Sequence, residues 1–513
     1  MTGASDVPEA IRRYFHGVNN EDWDDFRTLW HEDAELEVVG GISLRGLDEV
    51  LPYYPSVLRN FPVHHDDPHG IHVAGDTVTV EIGFRGETAD GVPAEWEAVD
   101  VFTLEDGRIR RLTTWYDIGL VVELLRRPGP AAQRLRRLVR HAAENSPFYR
   151  RRFEELGLDP ERVAAELALL PPTRYREDFV AAPRDFVAVP DREIRQILTT
   201  SGTLSGAPQP VPLTRGDQDD FARLWARALE LAGVTPDDVL LALYPHPALA
   251  DAVARARARL VPMTHATLGL DQQVRAAESL GVTVLAASPS LFLTFRARAA
   301  ELGADISALR LVLLGGEPWS AALQRLLEQE SGCRFVDVYG LTESGVVASA
   351  CPQGDGMHVY SDAHVVEILD LETGEPVSRG EPGELVVTPL GRRGLPLLRY
   401  ATGDVTAWSD GPCACGSGLP RITRIRGRVD HRVVVDGVPL FPADVEAVVH
   451  EVVGIGAEWQ LVVPREGPVR VRVEGDAEAV RARLGLAAVE VERAPDGALP
   501  REHRFKAQRL VRE

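Results

Sequence analysis

The hydrophobic pattern changes its period within the first part of the chain. Between residues 8 and 32, large apolar side chains recur on one side of a helix at Ile11, Tyr14, Phe15, Val18, Trp23, Phe26, Leu29 and Trp30. Four later segments alternate between apolar and polar positions, as half-buried strands do: residues 35–39, 77–84, 96–104 and 108–116. The turns between them favour an antiparallel sheet. The pattern therefore predicts an α+β domain over residues 1–126, with helices first and a curved sheet after them.

A different pattern begins after the segment Arg126-Arg127-Pro128-Gly129-Pro130, which interrupts both periodicities and predicts a linker. Continuous apolar runs at residues 239–243, 282–286 and 309–314 then alternate with helical stretches rich in Ala, Leu and Arg. This order is typical of a parallel sheet covered by helices. The segments shorten again near residue 428. We therefore predict a multidomain α/β chain, with a core domain over residues 132–428 and a small α+β domain over residues 429–513.

The charge and composition of the chain argue against several kinds of partner molecule. The 513 residues include 56 Lys+Arg and 77 Asp+Glu, and the formal net charge of -21 argues against nucleic acid or an anionic membrane as the main partner. No stretch approaches the roughly 20 apolar residues of a membrane span, and the first residues lack the apolar centre of a secretory signal. Four cysteines are too few for a disulfide framework, so we expect a reduced, cytoplasmic setting.

Lysine is almost missing from the chain, because Lys506 is the single lysine among the 56 basic residues. Arginine supplies a solvated positive charge equally well, but it does not supply a compact ammonium on a flexible stem. Lys506 is therefore a candidate for a role that needs an ammonium. The alternative is codon bias with one lysine left by chance.

Two polar segments follow predicted strands and carry candidate ligand-binding groups. The segment Thr199-Thr200-Ser201-Gly202-Thr203-Leu204-Ser205-Gly206 gathers hydroxyls and backbone amides that suit phosphate oxygens, although such clusters are also common in surface loops. The other segment places Tyr339, Thr342 and Glu343 after an apolar strand, where parallel sheets bind ligands. There a tyrosine can cover a base, a threonine can meet a phosphate and a glutamate can hold a hard cation. The alternative is a buried tyrosine followed by a solvated Thr-Glu pair.

Three of the cysteines and one histidine have the spacing of a metal site. Cys351 and His358 are seven residues apart, and Cys413 and Cys415 form a second pair in a turn-rich segment. Three thiolates and one imidazole are a closed zinc ligand set, and such pairs favour metal over disulfide in a reduced compartment. The alternative is three free thiols and a surface histidine. Cys333, alone before an aromatic strand, is predicted to be a core residue.

Further motifs complete an ordered series: Leu314-Gly315-Gly316-Glu317-Pro318-Trp319, Arg399-Tyr400-Ala401-Thr402-Gly403-Asp404, Arg426-Gly427-Arg428-Val429-Asp430 and Lys506. Together with the two polar segments, this series resembles the adenylate-forming (acyl-CoA synthetase) superfamily. More narrowly, it is similar to the phenylacetate-CoA ligase group. The resemblance covers roughly residues 132–513 and includes Asn145-Ser146-Pro147-Phe148-Tyr149-Arg150 and Gly437-Val438-Pro439-Leu440-Phe441-Pro442.

The resemblance implies a role for each matched position in ATP binding. The loop containing Ser201, Gly202, Thr203 and Gly206 would wrap the phosphates. Adenine would lie against Gly316, Glu317 and Pro318, with Tyr339 stacked on the base. Thr342 would bind the α-phosphate, Glu343 the magnesium ion and Asp404 the ribose hydroxyls, with Arg428 close by.

The resemblance also implies a moving C-terminal domain. Asp430 would be the hinge of this domain, and Lys506 would swing in to bridge the substrate carboxylate and the α-phosphate. When a carboxylate attacks the α-phosphorus, preorganised cations are the expected stabilisers of the negative charge that develops. A mobile domain can also withdraw the ammonium before the second half-reaction.

The implied activity is ATP-dependent activation of a small aromatic carboxylic acid as its acyl-adenylate, followed by transfer to coenzyme A in specialised metabolism. Two features depart from the family: Gly206-Ala207-Pro208 stands where relatives have Gly-Lys-Pro, and the segment Tyr244-Pro245-His246-Pro247-Ala248 is shorter than its counterpart. His246 is a candidate lining residue of the acyl pocket. Alternatives are an amine, hydroxyl or other nitrogen acceptor, or a nucleotide-binding protein without catalysis.

The N-terminal segment resembles the NTF2-like superfamily in its SnoaL-like branch. The similarity rests on the predicted helix end Leu29-Trp30-His31-Glu32-Asp33-Ala34, on Asp106-Gly107-Arg108-Ile109 and on Thr114-Trp115-Tyr116-Asp117. Such domains are cones with an apolar pocket, in which a carboxylate or imidazole can act as a general base. The candidates are His64, His65, Asp66, Asp67, His69, Asp100 and Tyr116. We favour the alternative that residues 64–69 form a polar loop and that the domain pairs two copies of the chain, since fold alone does not give function.

Overall fold

The computed structural model describes residues 7–88, 92–126, 129–200, 208–243, 248–261, 269–354, 356–500 and 508–513. The predicted phosphate-loop residues Ser201, Gly202, Thr203 and Gly206 lie outside these ranges, as do His246 and Lys506. Two compact units divide the chain, Met1–Leu135 and Arg136–Glu513, and the boundary falls within helix α5 (Pro130–Asn145).

The first unit is an α+β fold with one six-stranded sheet. Its elements are α1 (Glu9–Asn20), α2 (Trp23–Thr28), β1 (Trp30–Val38), β2 (Ser43–Arg45), α3 (Leu47–Leu58), β3 (Val63–Ala74), β4 (Thr77–Glu87), β5 (Pro93–Glu105), β6 (Arg108–Tyr116) and α4 (Ile118–Arg126). The strand order is β2-β1-β6-β5-β4-β3, in which only β1 and β6 pair in parallel. Apolar side chains of α1 to α3 pack against the concave face of the sheet and form its core. The predicted fold class and the three later strands are confirmed.

Two local predictions in this unit are wrong. The helical pattern over residues 8–32 is interrupted at Glu21, which has a left-handed φ of 53°, and β1 begins at Trp30. Trp30 and Ala34 are both buried, and a four-residue spacing is compatible with a strand as well as a helix. The cluster at residues 64–69 is not a loop but part of edge strand β3, where partly buried and exposed side chains alternate.

The second unit contains the remaining elements. Its first half comprises α6 (Pro147–Leu156), α7 (Pro160–Ala165), β7 (Thr173–Arg174), β8 (Ile194–Thr199), β9 (Pro210–Thr214), α8 (Arg215–Leu231), β10 (Val239–Ala242), α9 (Leu249–Arg255), β11 (Arg259–Val261), α10 (Leu270–Ser279), β12 (Val284–Ala287), α11 (Pro289–Glu301), β13 (Leu311–Gly315), α12 (Ala321–Ser331) and β14 (Arg334–Leu341). Its second half comprises β15 (Gly345–Ala350), β16 (Met357–Val359), β17 (His364–Leu369), β18 (Gly383–Pro389), β19 (Tyr400–Thr406), β20 (Arg421–Ile422), β21 (Gly427–Arg428), β22 (Val433–Val435), β23 (Val438–Leu440), α13 (Pro442–Val452), β24 (Trp459–Val463), β25 (Val469–Glu474), α14 (Ala477–Leu484), β26 (Val489–Ala494) and β27 (Leu510–Arg512).

The main sheet of this unit has the order β11-β10-β12-β13-β14-β15-β16-β20. Strands β10 to β14 pair in parallel, as the buried apolar runs predict, whereas β15, β16 and β20 continue the sheet antiparallel. Gly315 at the end of β13 pairs with Val338 near the end of β14. The polar segments that follow these two strands therefore leave the sheet side by side.

A second sheet, β17-β18-β19-β21, sets Asp404 on β19 opposite Arg428 on β21. The C-terminal part has its own sheet, β26-β25-β24-β27, and its helix α13 packs against α12. The backbone N–H of Ser320 donates to a buried Glu446 carboxylate oxygen at 2.6 Å across this helix pair. Across the described residues, no helix has both the length and the apolar character needed to cross a membrane.

Candidate functional site

The end of β14 and the turn that joins it to β15 carry three of the predicted site residues: Tyr339 on the strand, and Thr342 and Glu343 on the turn. A Cβ on Gly340 would lie 2.6 Å from the carbonyl oxygen of Gly345, so the turn can close this tightly only with glycine at position 340. Tyr339 is buried, Thr342 is half-buried and Glu343 is only 6% exposed. The expectation of a solvated Thr-Glu pair is therefore wrong for the glutamate, which lies inside the protein.

Tyr339, Asp404 and Arg428 form one buried network from three strands. The Tyr339 hydroxyl donates to Asp404 Oδ2 at 2.7 Å, and Arg428 Nη1 donates to Asp404 Oδ1 at 3.3 Å. Burial raises the pKa of Tyr339 well above its ordinary value, and the Asp404 charge adds to this shift. Burial alone would lower the pKa of Arg428, but Asp404 and Asp430 outweigh it and hold the pKa above its usual value. The network thus joins a phenol, a carboxylate and a guanidinium through hydrogen bonds.

Gly403 makes room for this arrangement. It has a φ of +75°, and a Cβ at this position would lie 2.6 Å from Arg428 Nη2. Any larger residue would combine backbone strain with a clash against the guanidinium. Glycine is therefore required between Thr402 and Asp404 because the Arg428 side chain approaches the backbone closely there.

Glu343 has a partner that the sequence alone did not identify. The Tyr400 hydroxyl donates to Glu343 Oε1 at 3.1 Å, and burial followed by the Glu343 charge raises the pKa of Tyr400 well above its ordinary value. The preceding residue, Arg399, is buried and pairs with Glu367 at 2.9 Å. This anchor sets the position of Tyr400. The sequence offered one clue to Tyr400 as a site residue: Arg399 and Tyr400 stand only a few positions before Asp404 in the same motif.

Gly316, Glu317 and Pro318 lie at the carboxyl end of β13, beside the strand that carries Tyr339. Gly316 has a φ of +87°, which turns the chain away from the sheet. Glu317 accepts hydrogen bonds from the backbone N–H and the hydroxyl of Ser290 at 3.0 and 2.9 Å. The carboxylate is thus fixed against the first turn of α11, at the carboxyl end of β13.

The flanks of the predicted phosphate loop can be described, although residues 201–207 cannot. The backbone N–H of Thr200 donates to the Gln209 carbonyl at 3.0 Å, and the Gln209 N–H donates to Thr200 Oγ1 at 3.0 Å. Thr200 also lies within hydrogen-bond distance of the Tyr175 hydroxyl at 3.4 Å. Strands β8 and β9 are therefore paired antiparallel, and the hydrogen bonds between them continue to Thr200 and Gln209.

The four residues of the predicted zinc set come together in space. Cys351 Sγ lies 3.5 Å from Cys413 Sγ, Cys415 Sγ lies 3.4 Å from His358 Nε2, and all four donor atoms lie within 4.8 Å of one another. Cys351, Cys413 and His358 are buried, so the histidine is not on the surface. The spacing of two short pairs in the sequence thus corresponds to one cluster between β15, β16 and the 413–415 turn.

The chemistry of this cluster fits Zn²⁺. Tetrahedral ligands about 2.0–2.3 Å from zinc lie roughly 3.3–3.8 Å apart, and the Cys351–Cys413 and Cys415–His358 distances of 3.5 and 3.4 Å fall in this range. A Cβ on Gly354 would collide with Cys413 Sγ, so glycine leaves the space open. Burial and Arg421 lower the pKa of His358, which favours the neutral, metal-binding imidazole. Burial opposes ionisation of Cys413, but hydrogen bonds from Cys415 hold its pKa below the ordinary value.

The first unit holds a separate set of interior acids. Asp100 on β5 is 5% exposed, and burial raises its pKa to about 7. Burial also raises the pKa of Asp66 to about 6, against the charges of His64 and His65. The hydroxyls of Tyr14 and Tyr54 meet at 3.1 Å in the same core. Of the remaining candidates, Tyr116 is half-buried, and His65, Asp67 and His69 are exposed on β3.

Comparisons with known proteins agree with this geometry. The family model of AMP-binding enzymes matches residues 133–389, and that of the SnoaL-like domain matches residues 11–112. Phenylacetate-coenzyme A ligase of Thermus thermophilus is 32% identical over 346 residues, covering 65% of this chain and 78% of that protein. The Escherichia coli phenylacetate-coenzyme A ligase is 31% identical over 349 residues, with the same coverage of 65% and 78%. The crystal structure of 2-hydroxyisobutyryl-CoA ligase shares the fold, with a TM-score of 0.68 and 24% identity over 75% of this chain and 89% of that one.

Proposed function

Because the chain belongs to the AMP-binding enzyme family, as an AMP-forming acid–thiol ligase with a SnoaL-like N-terminal domain, we propose that its substrate is a small aromatic carboxylic acid. The acid would be activated as its acyl-adenylate and transferred to coenzyme A in a specialised biosynthetic pathway. The observation that carries this proposal is the buried Tyr339–Asp404–Arg428 network next to Glu343, at the carboxyl edge of the main sheet. The aromatic choice rests on the similarity to phenylacetate-coenzyme A ligases.

In this proposal, the network prepares the nucleotide side of the site. Asp404 receives one hydrogen bond from Tyr339 and one from Arg428, so its carboxylate is held in a single orientation for the ribose hydroxyls. The Tyr339 ring, restrained through its hydroxyl, offers a face to the base. Gly316, Glu317 and Pro318 at the end of the neighbouring strand would line the other side of the adenine.

Glu343 and Thr342 would serve the phosphates. A buried carboxylate is a suitable ligand for Mg²⁺, which prefers hard oxygen donors, and the Tyr400 hydroxyl orients it by donating to Oε1. When bound, Mg²⁺ would neutralise charge on the phosphate oxygens. Thr342, one residue earlier on the turn, would donate its hydroxyl to the α-phosphate.

Lys506 and the hinge complete the proposed reaction. The Asp430 carboxylate accepts from Arg428 at 3.3 Å and from Arg176 at 3.5 Å, and its carbonyl accepts from Arg512 at 2.8 Å. We take Asp430 as the point about which residues 429–513 turn. This motion would bring the Lys506 ammonium to the carboxylate and α-phosphate, and would then remove it before the acyl group is transferred.

Carboxylate-dependent ATP–pyrophosphate exchange, measured over a panel of aryl acids, tests the adenylation step. The wild type should exchange with at least one aryl acid, whereas Lys506→Ala should not. Lys506→Arg is the matched control, because it keeps the positive charge and removes only the ammonium. Full exchange by Lys506→Ala would contradict the role given to this lysine, and ATP binding without exchange for any acid would support a non-catalytic nucleotide-binding protein.

The acceptor is tested separately by product analysis with and without coenzyme A. A thioester that forms only when coenzyme A is present supports the proposal. Acyl transfer to an amine, a hydroxyl or another nitrogen nucleophile, without thioester, would support the alternative acceptor. The adenylation half-reaction is common to both outcomes.

We also propose that Cys351, His358, Cys413 and Cys415 bind one structural Zn²⁺. The support is the convergence of their donor atoms within 4.8 Å and the buried imidazole. Metal analysis of the full-length protein should find about one zinc per chain, lost in Cys413→Ser. Cys333→Ser is the matched control, because this buried thiol lies outside the cluster and donates to the Leu309 carbonyl. Equal zinc content in both variants would contradict the assignment.

For the SnoaL-like domain we propose pairing of two copies rather than a reaction. The face of its sheet away from the core exposes Trp115, which is 42% accessible on β6. Sedimentation equilibrium of the full chain should detect a dimer, and Trp115→Arg should shift it towards monomer. A monomeric wild type at micromolar concentration would refute this role.

A further inference from the structure

Arg392 is a buried cation without a side-chain hydrogen-bond partner among the described residues. It lies on the loop between β18 and β19 and is only 2% exposed. In the described part of the chain, none of its three guanidinium nitrogens has a hydrogen-bonding partner. An arginine carries five N–H donors and is almost never fully buried unless paired. A buried guanidinium without a hydrogen-bond partner among the described residues is therefore unusual and needs a chemical explanation.

The backbone of the loop holds Arg392 in place, independently of its side chain. The buried Asp217 carboxylate accepts from the backbone N–H of Arg393 at 2.7 Å and from that of Gly394 at 3.0 Å. The same carboxylate caps α8 by accepting from Thr214 N and Oγ1 at 2.8 and 2.9 Å. A Cβ on Gly394 would lie 2.8 Å from Asp217 Oδ2, so the loop can approach this closely only with glycine. Both oxygens of Asp217 are engaged, and it forms no ion pair with Arg392 within the described residues.

The guanidinium lies over an aromatic ring next to the proposed phosphate region. Its carbon Cζ is 4.5 Å from the centroid of Phe221, and Phe221 in turn packs against Gly345 of the β14–β15 turn. Burial lowers the pKa of Arg392, while the charges of Asp217 and Glu343 oppose this shift. The cation therefore lies between the turn that carries Glu343 and the start of α8, which β9 joins to the proposed phosphate loop.

A cation–π contact alone does not explain this position. Stacking on Phe221 uses the face of the guanidinium and leaves its in-plane N–H groups unpaired. These groups match two oxygens of a phosphate in a bidentate arrangement. Arg392 is thus a desolvated anion-binding group for which the described residues supply no anion within hydrogen-bonding distance.

We propose that Arg392 binds the β- and γ-phosphates of ATP, the part that leaves as pyrophosphate. This inference rests on the proposed adenylation function, because it assigns the buried N–H groups, which have no partner among the described residues, to the triphosphate. A substrate carboxylate has the same oxyanion chemistry, so the test separates the two sources. Arg392 is then a nucleotide-binding residue contributed by the β18–β19 loop.

The test uses the full-length protein and three variants. Arg392→Gln removes the positive charge. Arg392→Lys keeps the charge but cannot form the two parallel N–H contacts of a guanidinium. Arg393→Gln is the matched control: it makes the same change one residue later, where the side chain is 67% exposed and only the backbone contacts Asp217. Calorimetry measures the binding of ATP, inorganic pyrophosphate and AMP in the absence of any acid. Exchange kinetics measure the KM values for ATP and for the acid.

The proposal expects Arg392→Gln to bind ATP and pyrophosphate about 10- to 100-fold more weakly, as loss of hydrogen bonds to a charged group would produce. AMP affinity and the KM for the acid should stay within about twofold of wild type. Arg393→Gln should bind all three ligands as the wild type does. If Arg392→Gln does not fold, Arg392→Lys decides, because loss of the bidentate contact should still weaken pyrophosphate binding.

Three results would overturn the proposal: unchanged ATP and pyrophosphate affinity in a folded Arg392 variant, an equal loss of AMP affinity, or a defect confined to the KM for the acid. The last result would assign Arg392 to the substrate carboxylate instead. A wild type that binds ATP but shows no acid-dependent exchange would refute the adenylation function. The pyrophosphate measurement would still decide the role of Arg392.

Discussion

Replacement of Asp100 by Asn tests the electrostatics of the first unit. Asp100 lies on β5, where it pairs in register with Thr114 of β6 and is almost completely buried. Burial raises its pKa from 3.8 to about 7, while the Thr114 side chain opposes the shift. Asn has nearly the same shape and retains hydrogen-bonding capacity, but it does not titrate. The variant therefore isolates the cost of burying an ionisable acid.

The sign of the effect follows from proton linkage. Between pH 4 and 7 the folded state keeps the Asp100 proton that the unfolded chain has lost, so the stability of the wild type falls as pH rises through this window. A difference of about three pKa units corresponds to about 4 kcal/mol at pH 8, and to about 1.5 kcal/mol at pH 5. Asp100→Asn should therefore gain about 2–3 kcal/mol in free energy of unfolding, relative to wild type, between pH 5 and pH 8.

Hydrogen exchange read by mass spectrometry, with peptides from β4 to β6 of the full-length protein, measures the opening free energy of this unit directly. Rates at each pH are corrected for intrinsic chemical exchange. Asp67→Asn is the matched control, because its side chain is exposed on β3 of the same sheet. An Asp100→Asn difference that is equal at pH 5 and pH 8 would refute the reasoning, and so would an equally large pH-dependent change in Asp67→Asn.

Three further substitutions have defined outcomes. Gly354→Ala places a Cβ against Cys413 Sγ, so zinc content and thermal stability should both fall, and an unchanged zinc content would contradict the packing. Glu343→Gln keeps a group able to accept from the Tyr400 hydroxyl but removes the charge, so ATP–pyrophosphate exchange should fall about 100-fold or more and not recover at high Mg²⁺. Asp404→Asn should raise the KM for ATP about 10- to 100-fold while leaving that for the acid unchanged, and a selective effect on the acid would reverse this assignment.

Predictions that depend on local pattern or on the order of motifs agree well with the structure. The apolar runs become the parallel strands β10, β12 and β13. Tyr339 lies near the end of β14 and Glu343 on the turn after it, at the carboxyl edge of the sheet. The two short Cys/His pairs meet in one cluster. These predictions rest either on a hydrophobic pattern that repeats within a few residues or on a set of residue types that suits few kinds of site.

The wrong or missing predictions share a different cause. The hydrophobic pattern around Trp30 fits either a helix or a strand. Trp30 is a strand residue because β1 pairs with β6, which lies far along the chain. Tyr400 had no visible partner in the sequence, because Glu343 lies 57 positions away. Arg392 is one of many arginines in the sequence. It differs from the others because its buried guanidinium has no hydrogen-bond partner among the described residues, and this is visible only in the folded structure.

Residue types and their spacing predicted a multidomain α/β chain, its family resemblance and the Cys/His donor set proposed to bind zinc. They also identified Lys506 as the single lysine, on which the proposed chemistry depends. Which polar groups interact is visible only in three dimensions: Asp404 accepts from Arg428 and Tyr339, Glu343 accepts from Tyr400, and the Arg392 guanidinium has no hydrogen-bond partner among the described residues. The physical reason is that residue type and periodicity are local properties of the chain. Burial and pairing, which set the cost and reactivity of a charge, depend on segments brought together from distant positions.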